Sequence, residues 1–184
     1  MSSLNVELRA RLLRAARAAI TADLTGSRPA TDEADAWPPL ERCGVFVTLR
    51  KGRHLRGCIG TFHPDYDLPE LVRRMATAAA HDPRFSMAPL CAGELADIRL
   101  EISVLSPLEK TADPLSLELG IHGIYITRGG RSGCFLPKVA SDQGWDRETF
   151  LSRCCQQKAH LASDAWRDPE TEVYLFTVED FHDS

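Results

Sequence analysis

The chain has 184 residues, 43% of them hydrophobic, and a formal net charge of −4. This length and apolar content predict one domain with a buried core, and the acidic balance argues against a protein whose whole surface binds nucleic acid or anionic lipid. The sequence shows no secretory leader, no apolar run long enough to cross a bilayer, and no Cys-x-x-Cys or His-Glu-x-x-His motif. We therefore expect a cytoplasmic protein with free thiols, no membrane span and no metal site.

The chain is predicted to begin with an amphipathic helix, because apolar side chains recur there at intervals of four residues. They are Leu4, Leu8, Leu12, Ala16, Ile20 and Leu24. Ser2 or Ser3 is expected to cap this helix, and Gly26 is expected to end it. The next stretch, from Ser27 to Leu40, is rich in Pro, Asp and Ala, and we expect an irregular crossing with Trp37 docked on the core.

A β-hairpin and a second helix are predicted next. Apolar residues alternate from Val45 to Leu49 and again from Leu55 to Ile59, on either side of a turn at residues 50–53, which is the pattern of two antiparallel strands. Asp67 and Glu70 then form a capping box at the start of a helix, with a proline between them that the first helical turn tolerates.

The second half of the chain is predicted to form further strands and one helix. Alternation from Ile98 to Val104 indicates a strand, and the glycine cluster at 129–133 indicates the turn of a second hairpin. Asp146 can cap a helix that extends to Leu161, and Val173 to Val178, apolar on both faces, suits an interior strand. We predict an α+β fold in which the first hairpin and the strands at 98–104 and 173–178 join one mainly antiparallel sheet covered by helices.

The candidate site is centred on Leu55-Arg56-Gly57-Cys58-Ile59-Gly60. Side chains alternate along a strand, so Arg56 and Cys58 are expected to share a face, away from Leu55, Gly57 and Ile59. Glycine in a strand marks a bulge or a close approach, which suggests a crowded or accessible position around the thiol. The alternative is that Cys58 is a small buried apolar residue and that the glycines serve only packing.

A second group of candidate residues lies at the end of the second helix, in His81-Asp82-Pro83-Arg84-Phe85. A cysteine nucleophile needs its thiolate form, which a nearby cation or imidazole favours. Arg56 can supply the charge, and His81, beside Asp82, is the best candidate base for Cys58. The alternative is that this segment only terminates the helix before its proline. Arg84 is either an anion contact or part of a structural ion pair, and Phe85 is expected in the core.

The first hairpin also carries a basic cluster at its turn. Its members are Arg50, Lys51, Arg53, His54 and Arg56. Such a cluster can bind phosphate or nucleic acid, but a solvated hairpin is the commoner reason for it, and few aromatic residues lie nearby for base stacking. We expect no specific binding of nucleic acid.

With the motif at 55–60, the segment at 81–85 and Leu100-Glu101-Ile102-Ser103-Val104-Leu105 in order, the sequence resembles the AMMECR family. Its bacterial members are called AmmeMemoRadiSam system protein A. The resemblance covers almost the whole chain, although Lys138 and His160 stand where the family pattern usually has glutamine and glycine. It implies a single AMMECR-type domain over residues 1–184, with a larger and a smaller lobe. It also implies a Memo-type protein and a radical S-adenosylmethionine enzyme as partners.

Two functional hypotheses follow from these residues. In the first, the chain is an enzyme or an enzyme-assisting subunit whose chemistry uses Cys58 and His81, with Arg56, Gly57, Gly60, Asp82 and Arg84 as binding residues. In the second, it is a non-catalytic module that docks a Memo-type partner on the same face. Catalysis requires a polar, reachable thiol with a base nearby, whereas docking requires an apolar patch and tolerates a buried thiol.

Overall fold

The computed structural model describes residues 4–27, 37–38, 40 and 42–183. The chain divides into two compact units, one formed by Met1–Leu105 with Glu179–Ser184 and the other by Ser106–Val178. In the described residues the helices are α1 (Val6–Thr25), α2 (Leu68–Ala80), α3 (Pro137–Gln143) and α4 (Arg147–Gln157). The strands are β1 (Val45–Lys51), β2 (His54–Thr61), β3 (Ile98–Leu105), β4 (Glu109–Lys110), β5 (Gly123–Arg128), β6 (Arg131–Phe135), β7 (Glu172–Phe176) and β8 (Val178–His182).

The first unit is a four-stranded sheet, in the order β2-β1-β3-β8, with α1 and α2 packed on one face. Val45, Val47 and Leu49 of β1 point toward these helices and have no exposed surface. Phe46 and Thr48 alternate with them and lie on the opposite face, where they are partly exposed. This sheet is therefore apolar on its helix face and partly polar on the other, as the alternating sequence predicts.

The ends of α1 and α2 are set by local capping. Asn5 caps α1, because its side-chain oxygen accepts a hydrogen bond from the Leu8 N–H at 2.9 Å. Ser2 and Ser3, the expected caps, lie outside the described residues. Gly26 ends the helix in a left-handed conformation, as predicted, with φ of 67°.

The predicted start and end of α2 are also confirmed. Asp67 accepts a hydrogen bond from the Glu70 N–H at 3.1 Å, and the helix ends at Ala80, with His81 as its C-cap directly before Asp82 and Pro83. Trp37 packs against the core of the first unit, as expected, and the Arg11 guanidinium lies 4.3 Å from its ring centroid. Most of the stretch from 27 to 40 lies outside the described residues.

The second unit has its own sheet and core. Its sheet has the order β4-β7-β5-β6, and α3 and α4 supply apolar side chains to a cluster that includes Ile126, Phe135 and Phe150. β5 and β6 form the predicted hairpin, whose turn is made by two glycines with positive φ. α4 begins after Asp146, as predicted, but it ends at Gln157, before Leu161.

The α+β class is confirmed, but the prediction of a single sheet is wrong. The strand predicted at 173–178 is β7, which lies between β4 and β5 in the sheet of the second unit. Its interior position agrees with its two apolar faces. The fourth strand of the first sheet is instead β8, which the sequence pattern did not indicate because Glu179, Asp180 and His182 make it largely polar. Alternation predicts that a strand exists, whereas sheet membership depends on long-range pairing.

Candidate functional site

A β-bulge in β2 sets the directions of the side chains in the Cys58 motif. Leu49 of β1 pairs with Gly57, whereas the next residue, Arg50, pairs with Leu55. One residue of β2, Arg56, is therefore extra and has no partner opposite it. Such an insertion interrupts the alternation of faces and strengthens the local twist.

The bulge overturns the prediction that Arg56 and Cys58 share a face. Cys58 pairs with Thr48, on the sheet face away from the helices. Leu55 pairs with Arg50, which lies on that same face two residues after Thr48. The side chain that accompanies Cys58 along β2 is therefore Leu55, and Arg56 instead turns toward the loop that follows α2.

Both glycines of the motif are positions of close approach, as predicted. A Cβ atom on Gly57 would collide with the carbonyl oxygen of Ala79, so the last turn of α2 lies directly on the main chain of β2. A Cβ atom on Gly60 would collide with the ring of Phe46 on the opposite face. The two glycines thus let a helix and an aromatic ring approach the strand on either side of Cys58.

Cys58 is held by its main chain, while its thiol is half-buried. Its N–H donates to Oδ2 of Asp82 at 2.9 Å, and its carbonyl oxygen accepts from Nη2 of Arg84 at 3.0 Å. The Thr48 hydroxyl donates to the Cys58 Sγ at 3.3 Å. Because β2 is the edge strand of its sheet, Asp82 and Arg84 occupy the main-chain groups that a further strand would otherwise use.

Asp82 and Arg84 form an ion pair that is buried on the acidic side. The Asp82 side chain is 1% exposed and the Arg84 side chain is 58% exposed. Arg84 Nε donates to both carboxylate oxygens, at 3.0 and 3.2 Å, and Nη2 lies 2.5 Å from Oδ2. The Arg84 hydrogen bonds, with those from the N–H groups of Cys58 and Arg84, hold the pKa of Asp82 well below its usual value despite burial. Of the two alternatives for Arg84, the structure supports the ion pair.

His81 lies elsewhere. Its Nε2 is 2.5 Å from Oδ2 of Asp23, near the end of α1, and its main chain closes the last turn of α2. The described residues therefore place Asp82 and Arg84, but not His81, in hydrogen-bond contact with Cys58. A base role for His81 stays a prediction, and the helix-termination alternative describes its contacts here.

Arg56 fastens the loop that runs along the edge of β2. Its Nη1 donates to the carbonyl of Ala88 at 3.1 Å, and its Nη2 donates to the carbonyl of Pro89 at 3.4 Å and to Oε2 of Glu94 at 2.9 Å. The Arg56 guanidinium holds the pKa of Glu94 below its usual value. The charge that was expected to act on the thiol is thus engaged by Glu94 and two carbonyl groups.

Phe85 lies between two guanidinium groups and not in the core as expected. It is only half-buried, and its ring centroid is 6.0 Å from Cζ of Arg56 and 5.8 Å from Cζ of Arg84. Both distances are within the range of cation–π attraction. The ring therefore links the loop fastened by Arg56 to the ion pair that holds Cys58.

Sequence reasoning missed the residues that share the sheet face with Cys58. Thr48 pairs with Cys58 on one side and with Glu101 of β3 on the other, which aligns a thiol, a hydroxyl and a carboxylate across three strands. On the same face of β3, the Ser103 hydroxyl lies 2.5 Å from Oδ1 of Asp180. Alternation within β1 and β3 could have placed these side chains on one face, but only the pairing register aligns them with Cys58.

A family model described as AMMECR1 matches residues 13–181. The chain belongs to the AMMECR1 family. This agrees with the resemblance carried by the motif at 55–60 and the segment at 81–85.

Similar AMMECR1 relatives cover most of the chain. A protein of Methanothermobacter thermautotrophicus is 42% identical over 182 residues, which span 94% of this chain and 92% of that protein. A protein of Thermococcus gammatolerans is 40% identical over 184 residues, spanning 94% and 88%. The crystal structure of uncharacterized protein PH0010 from Pyrococcus horikoshii is 37% identical, with a TM-score of 0.86, and the match covers 98% of this chain and 94% of that one. The α+β architecture of this AMMECR1 chain is therefore also that of a solved structure.

Across the described residues, no helix of this AMMECR1 chain combines the length and the apolar character that crossing a bilayer demands.

Proposed function

We propose that the chain is an enzyme or an enzyme-assisting subunit whose chemistry is centred on the thiol of Cys58. One observation carries this proposal: an ion pair with a buried carboxylate binds both main-chain groups of Cys58, while the thiol itself is half-buried and hydrogen-bonded. A cysteine that served only to pack an apolar core would not require an ion pair to fix its main chain. A fixed main chain with a reachable side chain is the arrangement that a reacting group needs.

The hydrogen bond from Thr48 supports the same conclusion. The thiolate is the nucleophilic form of cysteine, and a hydroxyl that donates to sulfur stabilises its negative charge. Asp82 acts through the main chain of Cys58, so it is a positioning residue in this proposal. Arg84 binds the Cys58 carbonyl and also interacts with the Cys58 side chain, since the pKa of Arg84 is raised mainly by Asp82 and in part by Cys58. The binding roles predicted for Arg56, Gly57 and Gly60 become structural ones: Arg56 fastens the neighbouring loop, and the glycines permit close packing.

The partners in this proposal are a Memo-type protein and a radical S-adenosylmethionine enzyme, and they rest on the family resemblance. An enzyme-assisting role agrees with the thiol contacts in this chain. Within the part of the chain that the structure describes, the Thr48 hydroxyl hydrogen-bonds the Cys58 sulfur and the Arg84 guanidinium interacts with the same side chain, but no carboxylate, imidazole or amine hydrogen-bonds the sulfur. A proton acceptor for the thiol would then come from the substrate or from a partner.

The same observation favours the second candidate, a non-catalytic module that docks a Memo-type partner. A thiol that no base contacts among the described residues is sufficient for docking. Met87, 97% exposed in the loop fastened by Arg56, would be a suitable apolar contact for such a partner. The two candidates differ in the expected reactivity of Cys58.

Thiol alkylation tests the proposal. Iodoacetamide is added at neutral pH, and the modification of each cysteine is followed by peptide mass spectrometry. Exposure alone would make Cys91 react before Cys58, because Cys91 is exposed and Cys58 is half-buried. Thiol chemistry predicts the reverse order, with Cys58 modified first.

The Cys58→Ser variant completes this test. If the site is chemical, the variant should lose activity in a reconstituted partner assay while its unfolding free energy changes by less than about 1 kcal/mol. A Cys58 that resists alkylation until the protein unfolds, together with a Cys58→Ser variant destabilised by about 1–3 kcal/mol, would support the docking module instead.

A further inference from the structure

Two arginines stand directly opposite each other on the sheet face that carries Cys58. Arg50 of β1 pairs with Arg99 of β3 in the antiparallel register, and both side chains are exposed. Arg50 lies on the same face as Thr48, two residues further along β1. Like charges directly opposite each other destabilise a sheet, so sheet stability does not account for this pair.

Two other cations of the same hairpin, Lys51 and Arg56, are paired with carboxylates. Lys51 lies 3.2 Å from Asp97 and 3.6 Å from Glu94, and Arg56 lies 2.9 Å from Glu94. Among the residues that the structure describes, no carboxylate comes within ion-pair distance of Arg50 or Arg99. Lys51 and Arg56 are thus paired with carboxylates, whereas Arg50 of β1 and Arg99 of β3 lie opposite each other and are exposed.

Two adjacent guanidinium groups are well suited to bind one anionic group. Each presents a planar fork of N–H donors that matches the oxygens of a phosphate or a carboxylate. Rows of side chains along a strand are separated by about 7 Å, twice the rise per residue. A small molecule whose anionic group contacts the Arg50–Arg99 row can therefore reach the neighbouring row, which contains Cys58, Thr48 and Glu101.

We propose that Arg50 and Arg99 bind the phosphate or carboxylate group of the ligand on which the Cys58 site acts. The inference that this ligand is a small anion-bearing molecule rests on the proposed function of Cys58. The anion site itself rests on the register of β1 and β3 and on the absence of ion-pair partners among the described residues. It binds an anion whether or not Cys58 is chemically active.

Anion binding is tested first, independently of Cys58. Inorganic phosphate and succinate are titrated by calorimetry at constant ionic strength into the parent protein, the Arg50→Gln/Arg99→Gln double variant and the Arg14→Gln control. Arg14 is an exposed arginine of α1, on the other face of the sheet. The double variant should bind the preferred anion at least about tenfold more weakly, whereas the control and Cys58→Ser should bind as the parent does.

The two probes distinguish the two sources of charge, since tighter binding of phosphate indicates a phosphorylated ligand and tighter binding of succinate a carboxylated one. The proposal is overturned if neither probe binds the parent protein, or if the double variant and the Arg14→Gln control lose affinity equally. An unchanged melting temperature of the double variant without anion, or a higher one, confirms that lost binding is not lost folding.

Alkylation with a charged reagent links the anion site to Cys58. Iodoacetate carries a carboxylate and iodoacetamide does not, so the ratio of their rates at one cysteine reports the local attraction of anions. For Cys58 this ratio should fall at least about threefold in the double variant, while the ratio for exposed Cys91 stays constant. An unchanged ratio at Cys58 would separate the arginines from the thiol and overturn the link. A Cys58 unreactive to both reagents would contradict the proposed function while leaving the phosphate and succinate titrations to decide the anion site.

Discussion

The edge strands β2 and β6 carry the same Gly-Cys dipeptide and pack it in related ways. In β2, the last turn of α2 lies on Gly57, and Arg56 binds carbonyl groups of the segment that follows the helix. In β6, the main chain after α4 lies on Gly133, and Arg131 donates to the carbonyl of His160 at 3.0 Å. In each unit a glycine admits a helix end to the edge strand, and an arginine of that strand secures the following segment.

The two regions differ in how the segment after the helix is built. After α2, Asp82 and Arg84 form an ion pair, buried on its acidic side, that binds the main chain of Cys58. After α4, the chain turns through His160, a non-glycine residue with φ of 54°. The second unit shows one way to cover an edge strand: a helix end packs closely on a glycine, and an arginine of the strand donates a hydrogen bond to a carbonyl group beyond the helix. In the first unit, the ion pair additionally fixes the main chain of one residue, Cys58.

The largest effect is expected from Gly57→Ala. The added methyl group collides with the main chain at Ala79, which cannot move without displacing α2, so the free energy of unfolding should fall by about 3 kcal/mol or more. Urea denaturation measures this change. Gly93→Ala is the matched control, since its Cβ would meet only the Cys91 sulfur at 4.0 Å, and it should be close to neutral. Equal stability of the two variants would contradict the close approach at Gly57.

Asp82→Asn should lower the free energy of unfolding by about 2–4 kcal/mol, because it removes a buried negative charge that accepts hydrogen bonds from Arg84 and from the Cys58 N–H. Its effect should also depend on pH. The pKa of Asp82 is lower in the folded protein than in the unfolded chain, so its contribution to stability is present above the unfolded value, about 3.9, and is lost as pH falls below it.

Denaturation curves between neutral pH and pH 3 check this prediction. As pH falls toward 3, the free energy of unfolding of the parent protein should decrease more steeply than that of Asp82→Asn. The difference in unfolding free energy between the two proteins should therefore become smaller. Asp142→Asn, an exposed carboxylate of α3, is the control and should follow the parent curve. A difference between parent and Asp82→Asn that stays constant down to pH 3 would refute the role of the ionised carboxylate.

His160→Gly should stabilise the protein by about 0.5–1 kcal/mol, since glycine adopts the left-handed conformation without the steric penalty of a side chain. The increase in melting temperature gives the measurement. His160→Ala separates backbone strain from loss of the imidazole, because alanine keeps the penalty and should not be stabilising. If both variants had the same stability, the conformation at 160 would not be the cause.

The smallest effect on stability is expected from Thr48→Val, at less than about 1 kcal/mol, because the variant keeps the side-chain shape and loses one hydrogen bond. Its effect on Cys58 should be larger in kinetic terms. Without the donor to sulfur, alkylation of Cys58 should slow by about fivefold, the rate equivalent of roughly 1 kcal/mol. Alkylation of Cys91 in the same sample provides the reference, and equal slowing of both thiols would argue against a specific role for Thr48.

The sequence predicts the local elements of this fold well, because each has a local cause. Capping by Asp67 and Asp146, termination at His81-Asp82-Pro83 and the glycine turn at 129–130 all depend on residues within a few positions of one another. The assignment of β7 to a separate sheet depends on its pairing with β5, nearly 50 residues earlier in the chain. No local pattern contains that information.

The candidate site was predicted in its residue types and not in its contacts. The structure does bring together Cys58, Asp82 and Arg84, but through hydrogen bonds to the main chain of Cys58, which the periodicity of the sequence does not predict. Arg56 was placed on the wrong face because alternation assumes an unbroken ladder, and a one-residue bulge leaves no mark in the hydrophobic pattern. Thr48 was missed because its role follows from the pairing of β1 with β2.

The bulge at Arg56 makes one residue of the motif dispensable to sheet pairing. Leu49 and Arg50 find their partners in Gly57 and Leu55 as they would in a hairpin from which Arg56 had been deleted. A chain one residue shorter here could form the same hairpin, with Cys58 on the same face and α2 on the same glycine. Such a chain would lack the guanidinium that holds Ala88 and Pro89. Within six consecutive residues, strand pairing and attachment of the loop thus depend on different residues. An insertion or deletion at Arg56 could change the attachment of the loop without changing the pairing of the strand.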